Sequence, residues 1–215
     1  MKIFLDTADT SVIEKYFATG LIDGVTTNPT LIKKSGRDPL EVYQELKDLG
    51  ILDISMEVVG DADEMIKEGK GLYDTFGNCC TVKVPCSPDG LKACKELSEA
   101  GIKVNVTLIF SQTQAILASK AGATYVSPFV GRVDDNSFGG ICLVKDIVNV
   151  FKEHYTTTNV LAASIRNVRD VGRLFEHGAE IVTMPPAVFE KMYNHILTDK
   201  GLELFQADWE SVHNT

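Results

Sequence analysis

The chain has 215 residues, 44% hydrophobic and 24% charged, with 17 Gly and 7 Pro; this balance belongs to a folded globular domain and excludes disordered, collagenous and disulfide-scaffold classes. Thirty acidic side chains oppose 21 basic ones, a formal net charge of −9. The basic residues are outnumbered and scattered, so no nucleic-acid partner is expected, and an anion can be held only by a local positive site.

Short apolar runs alternate with amphipathic stretches along the whole chain, the pattern of repeated βα units. Strands are predicted at Ile3–Leu5, Gly24–Thr26, Ile54–Glu57, Thr81–Val84, Val104–Leu108, Tyr125–Ser127, Val160–Ala163 and Ile181–Thr183. The helices between them carry start and stop signals. Asp38 and Pro39 open one that stops at Gly50, and Ser87 and Pro88 open another that stops at Gly101. Those after Phe110 and Arg166 stop at Gly122 and Gly178. Eight strands, each followed by a helix, predict a single (β/α)8 TIM barrel over residues 1–215, near the short end of that fold's range. An open doubly wound sheet is the rival, but it would place a Gly-rich turn after the first strand, and FLDTADT has no glycine. The tail from residue 198 to 215 reads as an extra C-terminal helix carrying Leu202, Leu204, Phe205 and Trp209. It either makes a subunit contact or packs back on its own barrel.

No stretch approaches the roughly 18–20 apolar residues of a membrane span, and the N-terminus meets an acid at Asp6, too early for a signal-peptide core; no membrane partner and a cytoplasmic location are expected. Cys79, Cys80, Cys86, Cys94 and Cys142 are odd in number and contain no C-x-x-C pair. They read as small buried hydrophobes rather than as a disulfide framework or a zinc site.

Barrel enzymes carry their chemistry at the C-terminal ends of strands, so the polar residues that close each apolar run are the candidates. They are Asp6; Thr26, Thr27 and Asn28; Glu57; Lys83; Asn105 and Thr107; Ser127 with Phe129 and Arg132; and Ser164 with Arg166. Lys83 is the sharpest signal, because it lies between Val82 and Val84 in an apolar strand where ammonium groups are rare. With a period of two it points opposite to both valines, into the barrel or against the helix layer. An unpaired charge against the helices would cost several kcal/mol, so the barrel mouth is the expected place. Desolvation there favours the neutral amine, a nucleophile that condenses with ketone carbonyls. Asp6 and Glu57, at two other strand ends, are candidate acid/base groups. His154, His177, His195 and His213 fall in predicted helices, which argues against a Ser-His-Asp triad or a His-rich metal site. Arg132 and Arg166 have the planar fork suited to a phosphate, whereas Arg169 and Arg173 are expected in exposed pairs on a helix face.

In order along the chain, FLDTAD at 4–9, GVTTNPTLI at 24–32, KVP at 83–85, NVTLIFS at 105–111, SPFVGR at 127–132 and ASIRN at 163–167 resemble the transaldolase family, within the short subgroup that also contains fructose 6-phosphate aldolases. The resemblance implies a class I aldolase-type barrel in which Lys83 forms a Schiff base, with neither metal nor organic cofactor. It implies Asp6 as the acid/base of carbon–carbon cleavage and Glu57 with Thr107 as the activators of water. Asn28 and Asn105 become ligands of substrate hydroxyls, with Thr27 counted beside them. Ser164, Arg132 and Arg166 become the phosphate site, with Ser127 and Phe129 lining the pocket.

The implied reaction carries a dihydroxyacetone unit from sedoheptulose 7-phosphate or fructose 6-phosphate to glyceraldehyde 3-phosphate or erythrose 4-phosphate, in the pentose phosphate pathway. An alternative is a fructose 6-phosphate aldolase that releases free dihydroxyacetone; that subgroup carries Gln and Tyr at the positions of Glu57 and Phe129. A non-catalytic sugar-phosphate-binding barrel is the third reading. Short members of the family are rings of five or ten subunits, so a homo-oligomer is expected.

Overall fold

The computed structural model describes residues 1–213. Eight parallel strands close into a barrel in chain order: β1 (Lys2–Asp6), β2 (Gly24–Thr26), β3 (Ile54–Glu57), β4 (Cys80–Pro85), β5 (Lys103–Ile109), β6 (Tyr125–Pro128), β7 (Asn159–Ala162) and β8 (Ile181–Met184). Their bounds fall within one residue of those expected. The connecting helices are α1 (Thr10–Phe17), α2 (Pro29–Ser35), α3 (Pro39–Asp48), α4 (Ala62–Phe76), α5 (Pro88–Glu99), α6 (Gln112–Lys120), α7 (Val130–Asp135), α8 (Gly140–Glu153), α9 (Val168–Glu176) and α10 (Pro186–Lys191), followed by α11 (Ile196–His213).

Capping fixes where the helices begin. The side chains of Asp9, Asn28, Asp38, Asp61, Ser87, Ser111 and Asn167 each accept backbone N–H groups of the first turn that they precede. Each such cap is worth about 1 kcal/mol. The expected stops at Gly50, Gly101, Gly122 and Gly178 all have positive φ, the backbone state that lets a helix end and turn into the next strand.

Period-two alternation sorts the strand residues into two environments. Leu5, Val25, Ile54, Met56, Val82, Val84, Val104, Val106, Val126, Val160 and Val182 belong to one continuous apolar layer shared with Val42, Leu46, Met65, Leu97, Ile147 and Leu174 of the helices. Burying each such side chain contributes roughly 1.5–3 kcal/mol. The intervening residues fill the barrel. At its base Phe4, Tyr125, Leu161 and Ile181 form a small separate cluster. Gly24 makes room for it, since a Cβ there would lie 2.6 Å from Cζ of Phe4. Beside this cluster the Asp53 carboxylate accepts from Thr81 Oγ1 at 2.8 Å, Tyr125 Oη at 2.7 Å and Lys103 Nζ at 3.1 Å. Burial, with Asp53 close by, pushes the Tyr125 phenol up, so it stays a donor.

One open alternative is decided and two expectations are corrected. The tail does not pack back on its own barrel: α11 has no buried residue, and Phe205 and Trp209 are 74% and 63% exposed. Of the five cysteines only Cys80 and Cys94 are buried, their thiols pushed up to about 12 by desolvation, while Cys142 is exposed. Arg169 and Arg173 are exposed as expected, yet neither makes an ion pair among the described residues. No helix among those residues is long and apolar enough to cross a membrane.

Candidate active site

The inward-facing residues of the upper barrel are polar, and they surround a cavity of about 120 Å³ at the C-terminal ends of the strands. Its lining comprises Asp6, Thr26, Asn28, Lys83, Asn105, Thr107, Ser127, Phe129, Arg132, Ala163, Ser164 and Thr183. The sequence expected ten of these.

Lys83 lies at the centre of the arrangement, only 5% exposed. Its Nζ is 2.9 Å from Oε2 of Glu57 and donates to the Thr27 carbonyl oxygen at 2.9 Å. The register makes this pairing unavoidable, because Glu57, Lys83 and Asn105 are direct neighbours across β3, β4 and β5 and point to the same side. Asn105 is locked in turn: its Nδ2 donates to Ser55 Oγ at 3.2 Å and its Oδ1 accepts from Ser127 Oγ at 2.7 Å. Thr107 follows Asn105 by one strand period, and its buried Oγ1 has no partner among the described residues. A buried hydroxyl without a protein partner beside an amine and a carboxylate is suited to a small polar molecule, water included.

Asp6 supplies the second carboxylate. Thr26 Oγ1 donates to its Oδ1 at 2.8 Å and is 2.7 Å from Thr183 Oγ1. Burial pushes the Asp6 carboxyl above its ordinary value, opposed by the Lys83 charge and the Thr26 hydrogen bond. A raised carboxyl in a cleft that holds an amine is poised to exchange protons.

The rim is cationic and partly aromatic. The guanidinium carbon of Arg132 sits 4.8 Å above the Phe129 ring, and Phe110 meets Phe129 edge-on with ring centroids 5.8 Å apart. Ser164, at the end of β7, has φ +59°, a left-handed backbone that costs a non-glycine residue about 1–2 kcal/mol. Its carbonyl oxygen accepts from Gly131 N–H at 3.0 Å. A Cβ on Gly131 would lie 2.4 Å from that oxygen and 2.7 Å from Nε of Arg166, so only glycine allows this approach.

The structure differs from the expected site at four positions. Glu57 reaches the Lys83 amine but lies outside the cavity lining, beside a second pocket with Tyr43 and Glu68. Thr27 contributes its backbone rather than its side chain: its hydroxyl donates to the Ser55 carbonyl at 2.9 Å, lies 3.3 Å from Tyr43 Oη, and is outside the cavity lining. Thr26, which faces inward, occupies the place expected for it. Arg166 also lies outside the lining and is engaged by both carboxylate oxygens of Asp135, which holds Asp135 below the usual carboxylate range. Thr183 was not among the expected residues, although it closes the eighth apolar run as the others close theirs. Asn28 lines the cavity and also caps α2, its Oδ1 accepting from Leu31 N–H at 3.0 Å.

Fold and site together define a (β/α)8 barrel whose working face is its C-terminal mouth and whose central group is a buried lysine between carboxylates. The family model of the transaldolases and fructose-6-phosphate aldolases matches residues 3–215. A "Probable transaldolase" of Cereibacter sphaeroides (strain ATCC 17025 / ATH 2.4.3) is 52% identical over 100% of this chain and 98% of its own. Proteins of the same name from Paracoccus denitrificans and Caulobacter vibrioides are each 53% identical, over 97% and 99% of this chain and 96% and 98% of theirs. The chain belongs to the transaldolase/fructose-6-phosphate aldolase family, as its motifs implied.

The raised Asp6 carboxyl makes the site a source of instability whose sign can be worked out. Between the ordinary carboxylate value, 3.8, and its raised folded value, the native state binds more protons at Asp6 than the unfolded chain, so stability falls as pH rises through that window. Asp6→Asn keeps an acceptor for Thr26 but removes the charge. It should melt at a higher temperature than the wild type at neutral pH, with the difference shrinking to nothing as pH falls below about 4. Thermal melts of both proteins across pH check this, and a gain independent of pH would refute it.

Proposed function

We propose that this protein is a transaldolase that moves a dihydroxyacetone unit from a ketose phosphate to an aldose phosphate through a Schiff base on Lys83. The observation that carries the proposal is the Lys83 amine, buried and 2.9 Å from the Glu57 carboxylate, in a cavity it shares with Asp6. A sugar-binding barrel without chemistry has no use for so costly a burial of charge.

In the first step Glu57 takes a proton from the Lys83 ammonium, and the neutral amine attacks the C2 carbonyl of sedoheptulose 7-phosphate or fructose 6-phosphate. Glu57 returns the proton to the carbinolamine hydroxyl, which leaves as water and yields the iminium. Asp6 then removes the C4 hydroxyl proton, the C3–C4 bond breaks, its electrons enter the iminium, and an aldose phosphate departs. The resulting enamine attacks the aldehyde carbon of glyceraldehyde 3-phosphate or erythrose 4-phosphate, and Asp6 gives its proton to the new hydroxyl. Water held at the Thr107 hydroxyl and activated by Glu57 hydrolyses the second iminium and frees Lys83. Asn28, Asn105 and Ser127 hold substrate hydroxyls in line for cleavage. Arg132 and Ser164 receive the phosphate, with Arg166 shared between it and Asp135. This is pentose phosphate pathway chemistry, which we place in the cytoplasm.

The transferase is preferred over an aldolase that releases free dihydroxyacetone because the pocket presents Phe129, not a phenol, beside the lysine. Release requires protonation of the enamine carbon, and a phenyl ring cannot donate. The largely exposed apolar side chains of α11 support a homo-oligomer, a ring of five or ten copies, with α11 as a subunit contact.

Borohydride reduction in the presence of fructose 6-phosphate should add one three-carbon unit to the wild type and none to Lys83→Ala by intact mass; an equal adduct on both would move the nucleophile elsewhere. Phe129→Tyr should raise acceptor-independent release of dihydroxyacetone relative to transfer by about tenfold or more, within the range of general acid catalysis. A wild type that releases the ketone as fast as it transfers it would favour the aldolase. Light scattering should give an oligomer that shrinks when residues after Thr198 are deleted, and a monomeric wild type would refute the subunit contact.

A further inference from the structure

Thr183 lies on β8, paired in register with Phe4, one layer below Asp6. From there its hydroxyl reaches Thr26 Oγ1 at 2.7 Å, while Thr26 Oγ1 reaches Asp6 Oδ1 at 2.8 Å. Both threonines are 2% exposed, and the Thr183 hydroxyl has no further hydrogen bond among the described residues. Neither role in capping nor role in strand pairing calls for a hydroxyl at position 183, since valine has the same shape and an equal β preference.

A hydroxyl carries one hydrogen, and an ionised carboxylate only accepts. With Asp6 charged, the Thr26 hydrogen must go to Asp6, so the Thr26–Thr183 bond can be made only by the Thr183 hydrogen. The chain therefore runs in one direction, from Thr183 to Thr26 to Asp6, and each bond polarises the next. With Asp6 protonated, the acid can donate to Thr26 once Thr26 turns its hydrogen to Thr183. Rotation about two C–O bonds thus satisfies both protonation states of a buried acid.

We propose that Thr183 is a positioning residue for Asp6, acting through Thr26 to set the direction of the hydroxyl chain that ends on the carboxylate. The inference rests on the reading of Asp6 as the group that takes and returns the C4 hydroxyl proton. In a transfer reaction that proton must stay on Asp6 while one aldose leaves and another arrives, and a reversible chain provides for both states without solvent. The other charged groups around Asp6 are Lys83 from β4, with Glu57 of β3 paired to it, and Arg132 from α7 at the rim of the same cavity. Lys83 and the hydroxyl chain favour the carboxylate, and burial opposes them.

The test is a pH titration of the Asp6 carboxyl by 13C NMR, its resonance assigned by its loss in Asp6→Asn. Thr183→Val should move the midpoint upward by about half a pH unit or more, because the Thr26 donor loses its polarising partner. Thr183→Ser should restore the wild-type midpoint, and the acid limb of kcat should follow the same order with KM for the ketose little changed. An unmoved midpoint in Thr183→Val, or equal shifts in the Val and Ser variants, would overturn the proposal, since loosened packing alone lowers activity at every pH. Should Thr183→Val fold poorly, Thr183→Ala carries the same comparison. If the wild type transfers nothing, the catalytic reading of Asp6 falls, while the NMR midpoints still decide whether the hydroxyl chain governs its ionisation.

Discussion

One ammonium group inside a barrel constrains most of what surrounds it. An isolated charge at the depth of Lys83 would be prohibitively costly, so carriers of opposite charge must come from adjoining strands. Glu57 from β3 and the Thr27 carbonyl from the end of β2 meet Nζ at 2.9 Å each. That requirement ties three consecutive strands into one register and explains why a three-residue strand such as β2 is kept where it is. It also determines the behaviour of Asp6. With Glu57 already paired to the lysine, Asp6 receives only part of the cationic field, and burial prevails. Two carboxylates of the same chemistry are thereby given different environments around a single amine, one an ion-pair partner and one a raised acid.

Polarity inside the barrel rises from base to mouth. Phe4, Tyr125, Leu161 and Ile181 close the bottom with apolar surface, and Asp53 then collects three donors, of which the Thr81 and Tyr125 hydroxyls would otherwise be buried unpaired. Above them Ser55, Thr26, Thr183, Asn105 and Ser127 form hydrogen-bonded pairs that orient one another. A usual barrel interior is packed with branched aliphatics, whose positions tolerate small shifts. Hydroxyls and amides locked to one another do not, and so the middle of this barrel holds the groups above it in fixed geometry. At the top, Arg132 is a cation on a chain of net charge −9. An anion entering that mouth meets the Arg132 guanidinium.

Much of this is legible in the amino-acid sequence. Caps, N1 prolines and closing glycines placed helices because they act within a few residues of chain, and alternation placed Lys83 because a strand has only two faces. What escaped depended on longer-range facts. Thr26 and Thr27 are adjacent, and only closure of the barrel decides that Thr26 turns inward while Thr27 offers its carbonyl. Thr183 looks like any β-branched residue at the end of a buried strand; nothing local reveals that a hydroxyl two strands away needs its hydrogen. The bond from Arg166 to Asp135 spans 31 positions and joins two exposed segments, which no pattern encodes. For α11 the amphipathic sequence fits both docking and projection equally well, and only the fold shows that none of its residues is buried.

The balance between transfer and release depends on where water can stand. On the proposed reading, hydrolysis of the iminium needs one water beside Lys83, and the place available is the unpartnered Thr107 hydroxyl, one strand period beyond the row of Glu57, Lys83 and Asn105. Protonation of the enamine carbon needs a donor from another direction. There the wall is Phe129, fixed by the edge of Phe110 on one side and by the Arg132 guanidinium over its face. Both contacts suit a ring with an electron-rich face and no polar substituent. On that reading the arginine proposed to receive the phosphate also keeps the apolar wall in place, which would couple binding of the acceptor's anion to protection of the enamine through one side chain. The same proposed coupling would make water useful at the Glu57 side of the lysine, where it completes the cycle, and keep it from the Phe129 side, where it would end the cycle early.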